Sequence, residues 1–226
     1  MSLTCTFLEN CGLYLQTEHN GILVDCPSGL HTQFDGTPLS ETEKMNSGLK
    51  PYHKLTALFF THSHADHFDR KRVRELCDSR RELIFFCPER SSPENGIITA
   101  GDFSLHYWNV PHSGEEFKDV AHRVYLIQAE GKRVYISGDS DFRSPIHRCI
   151  LAEFHPDIAL WNPNFVSHEE GRRLMALAGK NYINHLSIFS ADCFGVTRKC
   201  HTCFRRYGDE LQNASMVTEI PTQITL

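Results

Sequence analysis

The stretch LFFTHSHADHFD, Leu58 to Asp69, sets three histidines and two aspartates directly behind an apolar run. Extended backbone alternates its side chains, so His62 and His64 point the same way and can reach one ion. Asp66 and His67 follow where the chain turns toward a helix, and they face a different direction, open to a neighbouring ion. Imidazole together with carboxylate suits zinc, iron or manganese better than calcium. One ion needs more ligands than this loop supplies. Three further candidates stand at expected strand ends: His112 after WNVP, Asp139 after VYISG and His185 in YINHL. Strand ends along one edge of a sheet converge on a common cleft. A single histidine at a strand end is an ordinary polar residue, whereas a His-x-His-x-Asp-His cluster is hard to obtain by accident.

Bounds from the whole chain agree with a globular enzyme. At 226 residues it fits a single domain, 1–226, large enough to bury a core without disulfides. The net charge of −5 argues against a general polyanion binder, so nucleic acid is not the indicated partner. Nine scattered cysteines, an odd number, make a poor disulfide framework. No apolar run approaches the ~20 residues of a membrane span, and MSLTCTFLENCG has no secretory character. The expectation is a reduced, cytoplasmic protein acting on a small molecule or phosphodiester, with homo-oligomerisation left open.

Along the chain, LTCTFLE, GLYLQT and GILVDC read as strands broken by Asn-Cys-Gly and His-Asn-Gly turns. Pro27 to Pro51 reads as a long polar loop of the kind that borders binding clefts. KLTALFFT is a buried strand, and Asp69 caps a helix running to about Asp78. ELIFFCP and DFSLHYWNVPH are further strands. HRVYLIQAEGKRVYISGDSD reads as a strand pair turning at Glu130-Gly131. Ser167 and Glu170 form a capping-box pattern opening a helix with Leu174, Leu177 and Ala178 on its apolar face. NYINHL is a strand, a final helix spans about Asp192 to Leu211, and SMVTEIPTQITL closes the chain. Strands interleaved with helices imply an α/β fold, α+β in some schemes.

THSHADH resembles the signature of the metallo-β-lactamase fold superfamily, and the later pieces occur in that superfamily's order. The resemblance implies a four-layer αββα sandwich of two mixed sheets flanked by helices, with a binuclear centre at one sheet edge. It implies that His62, His64 and His112 hold the first metal, that Asp66, His67 and His185 hold the second, and that Asp139 bridges both. Asp141 is a rival for the bridge in SGDSD, but Gly138-Asp139 matches the family pattern better. Asp25, in ILVDC, corresponds to an acidic residue that orients a ligand histidine from behind. Two divalent ions, zinc first with manganese or iron as alternatives, would share a hydroxide made acidic enough to form near neutral pH. Asp66 and Asp139 are the catalytic candidates.

Departures from the family narrow the chemistry. Asp139 stands where zinc β-lactamases of the best-known group carry cysteine, and His64 stands where the di-iron oxygen reductases carry glutamate. No helical substrate domain or flexible tRNA-binding arm is visible. A compact hydrolase of phosphodiesters or phosphate esters is the leading reading, with lactone or thioester cleavage as the alternative. Iron-dependent redox chemistry and a non-catalytic binding module rank below both. His31, Arg143, Asn162 and Asn164 are candidate substrate contacts. Arg70, Lys71, Arg72, Arg74, Arg80 and Arg81 form either a phosphate-steering patch or a solvated helix face, and the second reading is favoured. Cys200 and Cys203, with Cys193 and His201 nearby, make one Cys-x-x-Cys, which is weak grounds for a site. His19, His53, His106, His122, His147, His155 and His168 have no evident partner in the sequence and read as surface or packing residues.

Overall fold

A computed structural model describes residues 2–8, 10–30, 36–90, 94–183, 211, 213–216 and 221–226. Sheet I contains β1 (Thr4–Phe7), β2 (Leu13–Gln16), β3 (Gly21–Val24), β4 (Leu55–Phe59), β5 (Ile84–Phe86) and β13 (Thr222–Thr225), in the order β13-β1-β2-β3-β4-β5. Sheet II runs β12-β11-β10-β9-β8-β7-β6. Its strands are β6 (Gly96–Ala100), β7 (Phe103–Asn109), β8 (Arg123–Ala129), β9 (Lys132–Ile136), β10 (Ile158–Trp161), β11 (Lys180–Ile183) and β12 (Ala214–Met216). Helices α1 (Leu39–Asn46) and α2 (Arg70–Ser79) precede sheet II in the chain, and α3 (Pro145–Phe154), α4 (Pro163–Ser167) and α5 (Glu169–Met175) follow β9.

Three apolar clusters define the layers. Leu13, Leu15, Ile22, Val24 and Phe59 of sheet I meet Phe103, Leu105, Tyr125, Ile127 and Leu160 of sheet II in the central core. Tyr14, Leu23, Leu58 and Phe60 on the outer face of sheet I pack on Met45 of α1 and on Val73 and Leu76 of α2. Leu126, Tyr135, Ala159 and Trp161 on the outer face of sheet II pack on Ile150, Leu151, Phe165 and Leu174. The arrangement is helices, sheet, sheet, helices: the αββα sandwich expected. LTALF and GILV are apolar on both faces because helix covers one face and sheet the other.

Strand direction decides where the chemistry collects. β3 and β4 are parallel, so Asp25 and His62 leave sheet I at the same edge. β7 and β9 are both antiparallel to β8, and β9 is parallel to β10. His112, Asp139 and Asn162 therefore all follow strands that end on one edge of sheet II. The two edges are joined there. The Arg123 amide donates to Thr61 O at 2.8 Å, and the Tyr125 hydroxyl donates to Phe60 O at 2.6 Å.

Several sequence expectations need correction. The Pro27–Pro51 stretch is not loop throughout, because it contains α1. Ser167 does not cap the following helix. It ends α4, where its hydroxyl donates to Asn164 O at 2.9 Å, and α5 begins after His168 without a side-chain cap. Asn162 and Pro163 start a helix earlier than the Ser-x-x-Glu pattern suggests, and the chain bends at His168 between the two short helices. Leu174 and Ala178 are buried but Leu177 is exposed. SMVTEIPTQITL is not one strand: its ends enter different sheets as β12 and β13. β6, α3 and β10 add to the expected elements. The expected helix from Asp192 to Leu211 lies almost entirely outside the described residues. No helix among the described residues is long and apolar enough to cross a membrane.

Candidate metal centre

The histidine loop is braced from both ends. Asp25, at φ 51° just beyond β3, accepts from the Thr61 amide at 2.7 Å and the Thr61 hydroxyl at 2.8 Å. At the far end, the Asp69 side chain accepts from the Lys71 and Arg72 amides, capping α2 as the sequence suggested. His67 N and Phe68 N both donate to His64 O, and the Phe68 ring packs 4.8 Å from Phe60. The tight turn between strand and helix thus presents His62 and His67 to the interior, where both are fully buried.

Among the described residues three groups of donors form: one is Cys11, Asp25 and His67, and the two others converge on His62. One ligand atom each from His62, His64 and His112 lies within 4.8 Å of the others, and the same holds for His62, His67 and Asp139. Asp139 stands between the two groups that share His62, with Oδ1 3.4 Å from His67 Nε2 and Oδ2 3.8 Å from His112 Nε2. The tautomers are set from behind. His112 Nδ1 donates to Ser113 O at 2.7 Å, which leaves its Nε2 with a lone pair, and His67 Nδ1 donates to Asp25 Oδ2 at 3.0 Å, which turns its Nε2 toward Asp139. His62 Nε2 and His112 Nε2 are buried without a protein hydrogen-bond partner. A buried nitrogen left unpaired costs about 1–3 kcal/mol, and a divalent ion would satisfy both. The donor set fits such an ion.

Electrostatics divide the histidines: burial acts to lower the pKa of His67, but Cys11, Asp139 and Asp25 outweigh it and hold that imidazole well above the ordinary value. Burial holds the pKa of His62 well below the ordinary histidine value, with the His67 imidazole adding to the effect. His64 is lowered by burial and then by His112. Neutral imidazoles are the ligating form.

The other site candidates fall as follows. Asp66 is buried with Oδ2 3.9 Å from His67 Nε2, but it belongs to none of the donor groups. Its backbone carbonyl accepts from Asn10 Nδ2 at 2.6 Å. Asp141 is taken up by Arg143, whose Nε donates to both carboxylate oxygens at 2.9 and 3.1 Å, so Asp139 is the carboxylate in the cluster. Asn162 donates from Nδ2 to Asp139 Oδ1 at 2.7 Å and caps α4 with its oxygen. Asn164 Nδ2 reaches Ser113 Oγ at 3.4 Å. His185 and His31 lie outside the described residues, as do Cys193, Cys200, His201 and Cys203.

The basic helix divides into braces and surface. Arg72 donates to the Thr37 and Ser28 carbonyls, and Arg80 donates to Tyr52 O and Leu55 O at 3.0 and 2.9 Å. Lys71 and Arg74 pair with Glu75 and Asp78 one turn on, at exposed positions worth little. A groove of about 970 Å³ runs beside α2 between Arg70, Arg74 and Arg81 and the Phe68 and Phe85 rings, with none of the clustered histidines in its lining.

Two residues at the centre escaped the sequence reading. His122 is buried, its ring centroid 5.1 Å from His62 and 5.6 Å from His112. Its ring nitrogens have no hydrogen-bond partner beyond a weak polar contact with the Val110 backbone, and burial followed by His112 keeps it neutral. Gly138, at φ +50°, makes room for it: a Cβ there would sit 2.7 Å from His122 Nε2 and 2.8 Å from Thr61 Cβ. Cys11 Sγ lies 3.1 Å from His67 Nδ1, beside Asp25, and burial pushes its thiol pKa upward. A usable signal existed. His122 immediately precedes β8 and Cys11 precedes β2, and both strands are antiparallel to neighbours that end at the site. Their N-terminal ends therefore lie on the same edge.

No protein-family model and no curated protein matches the chain in sequence. Solved structures match in shape. The metallo-beta-lactamase fold protein YhfI from Bacillus subtilis superposes with a TM-score of 0.68 over 100% of both chains at 15% identity. An isothiocyanate hydrolase from Delia radicum gut bacteria gives 0.64 over 98% of each chain at 14% identity. CmlA, a diiron beta-hydroxylase from Streptomyces venezuelae, gives 0.63 at 11% identity, covering 99% of this chain and 54% of its own. At such identities the likeness is one of fold, and with the layers and strand order described above it leads to one conclusion: this chain has the metallo-β-lactamase fold.

Proposed function

We propose that the protein is a metal-dependent hydrolase, a single domain working inside the cell on a small-molecule ester. The observation that carries this reading is the convergence of His62, His64, His67, His112 and Asp139, with the buried Nε2 atoms of His62 and His112 lacking any protein partner. His62, His64 and His112 would hold one divalent ion, and Asp66, His67 and His185 a second, with Asp139 between them. Zinc suits this donor set, and manganese or iron would also fit it. The bound ions would supply an acidified water and polarise the substrate oxygen.

The chain's own residues position that chemistry. Asn162 fixes Asp139 through Oδ1, so the carboxylate keeps one orientation between the two histidine groups. Asp25 holds His67 through Nδ1. Asp66, buried beside His67, is the carboxylate available to orient the attacking water. His62, His112 and Asp139 follow closely on strand ends where the two sheets are joined, which favours a preorganised site.

A phosphodiester or phosphate ester is the leading substrate class. Cleavage of a lactone or thioester on the same centre is the second reading, favoured by the acidic rim at Glu115 and Glu116, which does not attract anions. Hydrolysis of a panel of phosphodiesters, phosphomonoesters, lactones and thioesters by zinc-, manganese- or iron-loaded protein separates the two. Asp139→Ala should abolish hydrolysis of the preferred substrate and reduce bound metal. Full activity in Asp139→Ala would remove the carboxylate-bridged centre from consideration. Oxygen consumption by iron-loaded protein without ester hydrolysis would replace the hydrolase with a redox enzyme.

A further inference from the structure

Immediately beyond His112 the chain reverses at Gly114, whose φ of 98° suits glycine, and enters a short 3-10 turn, Glu115–Phe117. The turn is closed by Phe117 N donating to Gly114 O at 3.1 Å and Val120 N donating to Phe117 O at 2.9 Å. It places the Phe117 ring edge-on against two candidate ligands of one ion. The ring centroids lie 5.0 Å from His64 at 67° and 4.9 Å from His112 at 61°. Phe117 nevertheless remains 36% exposed. Single exposed apolar residues such as Leu39 and Ile97 are ordinary, and what sets Phe117 apart is that its ring lies against both His64 and His112.

The cations on this rim, Lys118 and Arg143, are already paired. Lys118 pairs with Glu115 at 3.2 Å, and Arg143 is bound by Asp141 while it also feels Glu115. Beside the histidines the turn thus offers aromatic surface and carboxylates in place of an unpaired cation.

We propose that Phe117 is a specificity-determining residue: its open ring surface forms an apolar wall beside the histidine cluster, selecting substrates that carry a planar apolar group next to the scissile bond. The inference rests on the reading that His62, His64 and His112 hold an ion which the substrate meets. Negative charge on the substrate is then confined to the reacting centre, and the flanking group is an aryl or similar ring. Aromatic rings in offset or edge contact gain affinity beyond simple area burial.

The test uses phenylphosphonate and methylphosphonate, two non-hydrolysable anions with the same metal-binding head, titrated calorimetrically into zinc-loaded protein. The wild type should bind the phenyl compound about tenfold more tightly than the methyl compound. Phe117→Ala should reduce that ratio to about twofold or less with zinc content unchanged, and Phe117→Tyr should restore it. Equal affinities in the wild type, or a preference that survives Phe117→Ala, overturns the proposal. The affinity ratio requires no turnover, so it stands even where every ester in the activity panel goes uncleaved.

Discussion

Asp25 touches the centre through His67 and through Thr61, whose hydroxyl lies 3.0 Å from His62 Nδ1, and it decides how the His67 imidazole presents itself. Its carboxylate accepts the hydrogen bond from Nδ1–H while Thr61 fixes the carboxylate, so Nε2 faces Asp139. Asp25→Asn removes the charge that favours this tautomer, and loss of such a partner weakens metal binding by about 10–100-fold. Competition against a chromogenic chelator measures it. An affinity equal to wild type would mean that His67 is not a ligand. Residue-scale legibility followed a simple rule and stopped where that rule stopped. His62, His64, His112 and Asp139 were readable because each follows a strand. His122 and Cys11 precede strands, and only the antiparallel pairings reveal that the start of β8 and the start of β2 lie at the same edge.

At the scale of elements, α3 is coupled to the loop that carries Asp139. The Tyr135 hydroxyl donates to His147 Nδ1 at 2.5 Å, and His147 Nε2 donates to Asp141 O at 3.0 Å. His147 is fully covered, and burial lowers its pKa from 6.5 to about 4. Between those values the unfolded chain binds a proton that the native imidazole refuses, so stability falls as pH drops through that window. The contribution is whole above the unfolded value and amounts to about 3 kcal/mol. His147→Gln can keep both hydrogen bonds but cannot titrate. Its urea-unfolding free energy should therefore decline less between pH 6.5 and 4 than that of the wild type, by about the same amount. Parallel pH profiles for the two proteins would contradict this account. Element legibility tracked amphipathicity. Asp69 and the Val73–Leu76 face announced α2, whereas α1 buries only Thr42 and Met45 and shows no apolar period to read.

For the whole molecule, the donors are split between the two sheets: the histidine loop leaves β4 of sheet I, while His112 and Asp139 leave β7 and β9 of sheet II. An ion binding only the folded arrangement stabilises it by about 2.7 kcal/mol at a hundred times its dissociation constant. In a chain of this size that corresponds to a rise of several degrees in the unfolding temperature. Differential scanning calorimetry with zinc and then with excess chelator should show the rise and its reversal. A melting temperature indifferent to zinc at saturating concentration would argue that the donor groups do not close on an ion. The layering was legible from the signature and the alternation of strands. Which strand borders which was not, because β1–β13 and β11–β12 join parts of the chain far apart in sequence.

The hydrogen bonds from Arg123 to Thr61 and from Tyr125 to Phe60 have a consequence for mechanics. They rivet the sheets together at the edge that bears the donors, so any splaying of the sandwich must hinge elsewhere. Distances among His62, His112 and Asp139 are then insensitive to breathing at the remote ends of the strands. The scaffold behaves as a pair of tongs clamped near its tips, so surface loops can change without disturbing the spacing of the donor cluster.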